Sequence, residues 1–295
     1  MSGRSKGILY ILSAAFCFSL MTIFIRLAGD LPTMQKAFFR NAVAVVVAAV
    51  LLFRSKEKIV IKKRDWVDLF LRAIFGTLGL VCNFYAIDHM NLSDANMLNK
   101  LSPFFAVLMS IFILKEKARK IEWLTIAIAF IGSLLIIKPG FSMTAVPALI
   151  GFIGGFGAGV AYTFVRKLGL SGVKGPVIVL FFAVFSTLFT LPFFITQYEP
   201  MSTSQTIFMI LTGVAATGGQ LSITAAYTHA PAKEISVYDY TQVLFAAIWG
   251  AILFGQTPDW LSIIGYVVII GVAVVKYLYD NGKISHKTSL SKKEN

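Results

Sequence analysis

Ten apolar runs, each close to twenty residues long, follow one another along the chain. The hydrocarbon core of a bilayer is about 30 Å thick and needs roughly 20 helical residues to cross it. Inside that core the backbone amides must be satisfied within the protein, which an α-helix does by itself. The sequence therefore predicts an all-α integral membrane protein. Its ten predicted transmembrane helices cover residues 7–27, 34–53, 67–88, 94–114, 121–138, 146–166, 176–195, 205–227, 235–254 and 260–279.

The distribution of charge favours a membrane protein over a nucleic-acid-binding one. Apolar residues make up 57% of the chain and charged residues 14%, although the formal net charge is +13. The lysines and arginines fall in short clusters between the apolar runs and do not form a stripe on a polar domain. We therefore expect membrane lipid as a partner and no nucleic acid.

The same basic clusters predict an orientation. They occupy alternate connections, at residues 54–64, 115–120 and 166–167, and the tail 283–295, whereas the connections between them carry few cations. Because cytoplasmic loops are enriched in Lys and Arg, both termini are predicted to be cytoplasmic, in a multi-pass protein of the cytoplasmic membrane. The connections are too short for a soluble catalytic domain. No convincing cleavage site follows the first span, so we expect that span to stay uncleaved.

Motifs for metal or cofactor chemistry do not occur in the sequence. Cys17 and Cys82 lie inside apolar runs, away from any CxxC or His-rich spacing, so neither a disulfide framework nor a metal site is indicated. The glycines of GFIGGFGAG (151–159) resemble a nucleotide-binding loop, but no strand precedes them. Three of these glycines are spaced four residues apart, which favours close helix packing. We expect no cofactor.

The two halves of the chain align with each other at a constant offset of 140 residues. A single offset that holds through four consecutive spans indicates an internal repeat. Each half holds five spans, an odd number, so the two copies cross the membrane in opposite directions. Aligned identities include Arg26 with Arg166, Thr77 with Thr217, Gly79 with Gly219 and His89 with His229.

This repeat predicts the domain organisation. The first five-helix repeat is expected at residues 1–140 and the second, inverted repeat at 141–282, followed by a basic cytoplasmic tail at 283–295. Two inverted bundles can enclose a central cavity and expose it to either side of the membrane at similar energy. Alternating access is the usual use of that symmetry.

Several segments resemble the drug/metabolite transporter superfamily, in particular its ten-span EamA type. The resemblance extends over about residues 7–279. It is carried by FFRNA (38–42) with Arg40, by PFFAVLMSIFILKE (103–116) and by WLTIAIAFIGSLLII (123–137).

In that family a proline opens the fourth span and an acidic residue closes it, as Pro103 and Glu116 would do here. The segment IGSLLIIKPG (131–140) is similar to the usual end of the first half. The second half departs from the pattern, because Val243 and Gln256 stand where the proline and the glutamate would be. The resemblance implies a carrier of ten helices, in a family that moves many unrelated solutes.

Polar side chains well inside a span are informative, because an ionisable group there costs several kcal/mol unless it meets water, a partner or a ligand. The fourth span carries a cluster of them. Asn96, Asn99, Lys100 and Pro103 are spaced at i, i+3, i+4 and i+7, so we expect them to share one helix face.

The ninth span is the repeat equivalent of the fourth and has a matching face. Ser236, Asp239 and Tyr240 are predicted to share it, and the offset aligns Lys100 with Tyr240 and Asn99 with Asp239. One helix then offers a cation and an amide where its counterpart offers a carboxylate and a phenol. Two such faces across a cavity would suit a zwitterion or an organic anion.

Other spans contribute single polar or aromatic residues to the predicted site. Among the aromatic residues, Tyr238 and Tyr240 are favoured by their position beside Asp239, which is the predicted proton-coupling residue. The predicted substrate-binding residues are Arg40, Asn83, Tyr85, Asn96, Asn99, Lys100, Tyr162, Gln220, Ser236, Tyr238, Tyr240 and Gln242.

Structural alternatives stay open for the charged residues. Lys100 and Asp239 can pair with each other, or with Arg40, and simply lock the bundle, since charges inside the membrane usually pair. The long stem of Arg40 can also carry its charge to the headgroups. Arg26 and Arg166 are close to span ends, where that behaviour is the better interpretation.

The leading functional hypothesis is a secondary active transporter. Its expected substrate is a small polar organic metabolite, amino-acid-like, zwitterionic or anionic, moved by alternating access, with export favoured. No Walker A sequence is present, so a proton gradient or solute exchange would supply the energy. Asp239 is the candidate proton carrier, because burial disfavours the charged form of a carboxylate.

Two alternatives belong to other functional classes. One is an intramembrane enzyme acting on a lipid or an isoprenoid carrier, for which the spans show no HExxH, GxSxG or DxxD-type site. The other is a channel, which would conduct far faster than a carrier and would not show counterflow. A monomer and a homodimer are both compatible with the sequence.

Overall fold

The protein is a bundle of helices, seen in a computed structural model that describes residues 2–54, 61–89, 96, 98–137, 145–255 and 259–280. Each of the ten predicted spans contains a helix within these residues, and none of these residues forms a strand. Gln256 and the predicted tail at 283–295 lie outside the described residues. The first five helices are α1 Gly3–Ala28, α2 Thr33–Arg54, α3 Asp65–His89, α4 Ser102–Leu114 and α5 Lys120–Ile137.

The second half repeats this order. Its helices are α6 Ala145–Leu170, α7 Gly175–Thr196, α8 Thr203–His229, α9 Thr241–Phe254 and α10 Trp260–Asp280. Within the described residues, seven helices are long and apolar enough to cross a membrane, and α4 is a shorter apolar helix. The predicted all-α membrane fold with two inverted five-helix repeats is confirmed.

Two helix ends show the internal repeat in the backbone itself. α4 ends at Lys115 with φ 56°, and α9 ends at Gly255 with φ 61°, both in the left-handed region. These residues are separated by the same 140 positions that align the two halves. Glycine adopts this conformation without strain, whereas Lys115 adopts it at a cost of roughly 1–2 kcal/mol. The Lys115 amide donates to the Ser110 carbonyl oxygen, which satisfies one carbonyl at the end of α4.

Helix packing follows the same symmetry. α1 packs along α8 and α3 along α6, and exchange of the two halves converts one of these pairs into the other. α2 packs on α7, and α5 on α10. Small residues allow the close approaches: a Cβ placed at Gly79 of α3 would lie 2.8 Å from the backbone nitrogen of Ala158 in α6. The glycines of 151–159 also lie at helix contacts, as the sequence predicts.

The fourth span is interrupted where the sequence predicts a continuous helix over 94–114. Residues 98–99 are helical, Lys100 and Leu101 form a turn, and α4 begins at Ser102. The Leu101 amide donates to the Leu98 carbonyl oxygen at 3.1 Å, a bond from residue i to residue i−3. Pro103 fits the first turn of the new helix, because it has no N–H to donate.

The ninth span is interrupted at the equivalent position and without a proline. A short helix at Ala232–Ile235 leads into a 3₁₀ segment at Ser236–Tyr240, and α9 follows. This differs from the continuous α-helix predicted over 235–254. A 3₁₀ segment has three residues per turn, so Ser236 and Asp239 still share a face, whereas Tyr240 is turned away from them. Contacts from this segment to Lys100, given below, stabilise the interruption.

Candidate functional site

A cavity of about 1060 Å³ lies between the two halves. The start of α1 and the end of α10 lie on one side of the bundle, the side of the termini, where the Arg4 guanidinium is 3.0 Å from the Asp280 carboxylate. The cavity lining extends to the opposite side, where it includes Gly29–Thr33 and Glu199. Its size is typical of a site for a small molecule.

An ion pair joins the two interrupted spans at the cavity wall. The Lys100 ammonium donates to Oδ2 of Asp239 at 3.3 Å and to Oε1 of Gln242 at 2.7 Å. Lys100 and Asp239 are both buried, yet both line the cavity. The pairing considered for Lys100 and Asp239 is therefore present, at a place that a solute in the cavity would also reach.

A second contact holds the backbone around Lys100. The Tyr240 hydroxyl donates to the carbonyl oxygen of Lys100 at 3.0 Å. That carbonyl is one of those left without a regular helical partner where the helix is interrupted. The 3₁₀ segment thus supplies Asp239 to the Lys100 side chain and Tyr240 to its backbone.

Nine of the thirteen predicted site residues line the cavity. They come from both halves of the chain, so the described structure brings together residues that are far apart in sequence. These nine are Arg40, Asn83, Asn96, Asn99, Lys100, Tyr162, Gln220, Asp239 and Gln242.

The other four predicted site residues do not line the cavity. Tyr85 stacks on His89 with ring centroids 3.9 Å apart, and His89 is the one of the two that lines the cavity. Tyr240 supports Lys100, as described above. Tyr238 faces the charges of Arg4 and Asp280 on the side of the termini.

Ser236, the fourth of these residues, is connected to the cavity lining through two stacked tyrosine rings. Its hydroxyl lies 3.5 Å from the Tyr227 hydroxyl. Tyr227 stacks on Tyr162 with ring centroids 5.1 Å apart, and Tyr162 lines the cavity. Ser236 and Asp239 are three residues apart in the 3₁₀ segment and so lie on one face of it, but their side chains have different hydrogen-bond partners, Tyr227 and Lys100.

Arg40 points into the cavity and is held by an asparagine. Its Nη1 donates to Oδ1 of Asn41 at 2.9 Å. The Asn41 amide donates in turn to the Ala37 carbonyl oxygen and to the Ser186 hydroxyl, each at 2.9 Å. The guanidinium is 5% exposed and lines the cavity, so it does not extend to the headgroups.

Arg72 of α3 also lines the cavity, and the sequence-based set does not contain it. Its guanidinium carbon lies 4.2 Å from the centroid of the Phe182 ring. It sits five residues inside the predicted span 67–88, where an arginine is expected to extend toward the headgroups. A signal that would have found it is Gly76, one turn further along α3, which leaves room for an inward side chain.

On the side of the termini, polar contacts link the two halves. Arg166 at the end of α6 lies 3.4 Å from the Glu116 carboxylate and donates to the Thr228 carbonyl oxygen at 3.1 Å. Lys233 donates to the Lys117 carbonyl oxygen at 2.6 Å. Arg166 therefore makes specific contacts, which the interpretation from its place near a span end does not include.

A helical bundle of two inverted repeats around one polar cavity defines a class of membrane transport protein. The model of the EamA-like transporter family matches the chain twice, over residues 5–138 and 146–277. The chain belongs to the EamA-like transporter family. The resemblance inferred from the sequence is confirmed, and so is the prediction of a transporter rather than an enzyme.

Individual relatives and a solved structure agree with this assignment. The pseudopaline exporter CntI of Pseudomonas aeruginosa is 31% identical over 269 residues, covering 90% of this chain and 93% of the relative. Solute carrier family 35 member G1 of Homo sapiens is 26% identical, covering 94% of this chain and 81% of its own length. A crystal structure with 17% sequence identity covers 96% of this chain with a TM-score of 0.83, which shows the fold.

Proposed function

We propose that the protein is a secondary active transporter for a small polar organic metabolite, zwitterionic or anionic, and that it works by alternating access. The observation that carries the proposal is the Lys100–Asp239 pair, at 3.3 Å, between two helix interruptions at equivalent positions of the inverted repeats. Interrupted helices of this kind form the substrate sites of many carriers. The pair offers a cation and a carboxylate to one solute.

Substrate binding would proceed by exchange of partners. The Lys100 ammonium carries three donors, and it donates to the Asp239 carboxylate, to the Asp239 carbonyl oxygen at 3.4 Å and to Gln242. A solute carboxylate would take over the ammonium, and a solute amine would take over the Asp239 carboxylate. In the state seen in the structure the empty carrier keeps its charges paired, and a loaded carrier would pair them with the solute.

Closure on one side and access on the other support a carrier rather than a channel. The cavity lining reaches the side opposite the termini, whereas Arg166, Glu116 and Lys233 make contacts between the halves on the side of the termini. In the alternate state, the inverted symmetry would open these contacts and close the other end.

Coupling is assigned to Asp239. Its carboxylate would take up a proton while the empty carrier returns, which releases Lys100, and would lose that proton when the next solute binds, so that each cycle exchanges one outward-moving solute for an inward-moving proton. Export is the favoured direction, and one relative is named as an exporter. We place the protein in the cytoplasmic membrane with both termini in the cytoplasm, as the basic connections indicate. It acts as a monomer or a homodimer.

Counterflow in proteoliposomes tests the proposal. Proteoliposomes that contain the purified protein are loaded with an unlabelled amino acid or dicarboxylate. Uptake of the labelled solute into them is then followed with and without an imposed proton gradient. We expect saturable counterflow that the gradient stimulates. Asp239→Asn should transport at a rate that no longer responds to the gradient, because the amide cannot take up a proton.

Asp259→Asn is the matched control, since this exposed residue lies outside the cavity and an asparagine can still accept from the Ser262 amide. It should behave as wild type. An Asp239→Asn variant with unchanged rate and pH dependence would remove the coupling role. Conduction without saturation or counterflow would mean a channel.

A further inference from the structure

Two arginines in the cavity are not accounted for by the Lys100–Asp239 pair. Arg72 is 2% exposed and Arg40 is 5% exposed, and both line the cavity. The Nε atom of each is buried and has no hydrogen-bond partner. Among the described residues, no carboxylate forms an ion pair with either guanidinium. Buried arginines are costly in a membrane unless they meet water, a partner or a ligand.

Arg72 is held in a fixed plane by its surroundings. The Phe182 ring covers its guanidinium at 4.2 Å, and Phe182 is itself buried. On α3, a Cβ at Gly76 would collide with Nη1 of Arg72, so glycine is required for this orientation. Stacking on an aromatic face holds the guanidinium while its edge stays available for hydrogen bonds.

Arg40 is held by a neutral partner. Asn41 accepts from Nη1, and its amide group is anchored by Ala37 and Ser186. This arrangement fixes the guanidinium without neutralising it. Arg40, Arg72 and Tyr162 line the same cavity.

The remaining charges of the cavity do not compensate the two arginines. Asp239 is engaged by Lys100. Asp30 and Glu199 belong to the connections at the end of the cavity opposite the termini. The arginines thus form a preorganised cationic surface inside the cavity, with hydrogen-bond donors and, among the described residues, no carboxylate paired with either of them.

We propose that Arg40 and Arg72 form a subsite for carboxylate groups, so that the transported solute is an organic anion that carries at least two carboxylates. The planar fork of a guanidinium matches a carboxylate in a bidentate geometry. This proposal rests on the proposed function, since it assumes that the cavity is the transport site. It narrows the substrate class from any zwitterion or anion to a solute with more acidic than basic groups.

Thermal unfolding of the purified full chain in lipid nanodiscs tests the subsite, with glutarate, butyrate, glutamine and inorganic phosphate as probes. Glutarate should raise the unfolding temperature, whereas butyrate and glutamine should have little effect. Arg40→Gln and Arg72→Gln should each weaken the apparent affinity for glutarate about tenfold or more. Arg54→Gln is the control, because that arginine is exposed at the end of α2 and lies outside the cavity.

The unfolding temperature without any probe separates binding from structural support. Removal of an uncompensated buried charge should leave that temperature unchanged or raise it, whereas removal of a structural group should lower it. Arg40→Lys and Arg72→Lys keep the charge and lose the bidentate geometry, so they should bind glutarate with intermediate affinity. If both the glutamine and the lysine variants fail to fold, the arginines support the fold and the proposal is wrong.

Two further outcomes are decisive. Stabilisation by phosphate without stabilisation by glutarate would overturn the carboxylate assignment. The free amino acids glutamine and lysine serve as solutes without a second carboxylate. If the carrier shows counterflow of either one, and Arg40→Gln and Arg72→Gln leave that counterflow unchanged, the subsite proposal is wrong while the transporter function stands. Binding of glutarate through the arginines without any counterflow would leave the subsite intact and remove the transport proposal.

Discussion

Lys100 and Lys276 are both buried inside the membrane-spanning bundle, but their surroundings differ. Lys276 of α10 is 1% exposed and lies 2.9 Å from the Asp280 carboxylate and 3.6 Å from the Glu122 carboxylate. Lys100 is 5% exposed and has one carboxylate, Asp239, at 3.3 Å. Lys276 does not line the cavity, whereas Lys100 does.

The partners of Lys276 are themselves paired with other charges. Arg119 lies 2.8 Å from Glu122, and Arg4 lies 3.0 Å from Asp280, so the network joins α1, α5 and α10 on the side of the termini. No solute in the cavity can take the place of these partners. Burial alone therefore does not separate a locking charge from a binding charge; the number of fixed partners and access from the cavity do.

The largest expected effect is on stability, from Lys276→Met. This change leaves the Glu122 and Asp280 carboxylates buried with one cation fewer, and we expect a loss of about 3 kcal/mol in the free energy of unfolding. The measurement is denaturant or thermal unfolding in micelles. Transport per folded molecule should be unchanged. Lys63→Met, at an exposed position, should alter neither quantity. A Lys276→Met variant of full stability would show that Lys276 does not lock the bundle.

Lys100→Gln is expected to have a smaller effect in free energy than Lys276→Met, and to lower transport more than stability. Loss of the charged donor should lower transport efficiency about thirtyfold, which corresponds to about 2 kcal/mol for a hydrogen bond to a charged group. Stability should fall less than in Lys276→Met, because Asp239 faces a polar cavity that can solvate it. Concentration-dependent counterflow and unfolding of the same sample give both numbers. A large loss of stability with normal transport would show that Lys100 is a second locking charge.

Much of the fold follows from the sequence for a physical reason. Each crossing of a bilayer needs a long apolar helix, so the ten spans and their repeat appear in the apolar pattern itself. The offset of 140 residues even relates the left-handed helix ends at Lys115 and Gly255. Lys100 and Asp239 stand out for the same reason, since charged residues in apolar runs are few.

The rest depends on tertiary contacts that the apolar pattern does not contain. A regular α-helical period groups Ser236, Asp239 and Tyr240, whereas the 3₁₀ segment keeps Ser236 and Asp239 on one face and turns Tyr240 away from them. Their partners, which the sequence pattern does not contain, are Tyr227, the Lys100 side chain and the Lys100 backbone, respectively. Pro103 is a sequence signal for the interruption of the fourth span. The ninth span has Val243 in that place, and its interruption is stabilised by contacts with the fourth span instead.

Arg72 differs from Lys100 in a way that the sequence hides. Its position near a span end is typical of arginines that extend to the headgroups. The inward orientation depends on Phe182, which lies more than a hundred residues away in the chain, and on the absence of a side chain at Gly76. A prediction from local sequence has no access to the first of these two conditions.

The smallest effect is expected for Tyr240→Phe, which leaves every charge in place. Tyr240→Phe removes the hydroxyl that donates to the Lys100 carbonyl oxygen at 3.0 Å and keeps the ring. A neutral hydrogen bond is worth about 1 kcal/mol, so we expect the half-saturating solute concentration to rise about fivefold, with stability lowered by a similar energy at most. Tyr277→Phe is the matched control, since that ring is 44% exposed, and counterflow over a range of solute concentrations is the measurement. If Tyr240→Phe transports as wild type does, Lys100 is held by its side-chain partners alone, and its position depends on Asp239 and Gln242 in the way that Lys276 depends on its carboxylates.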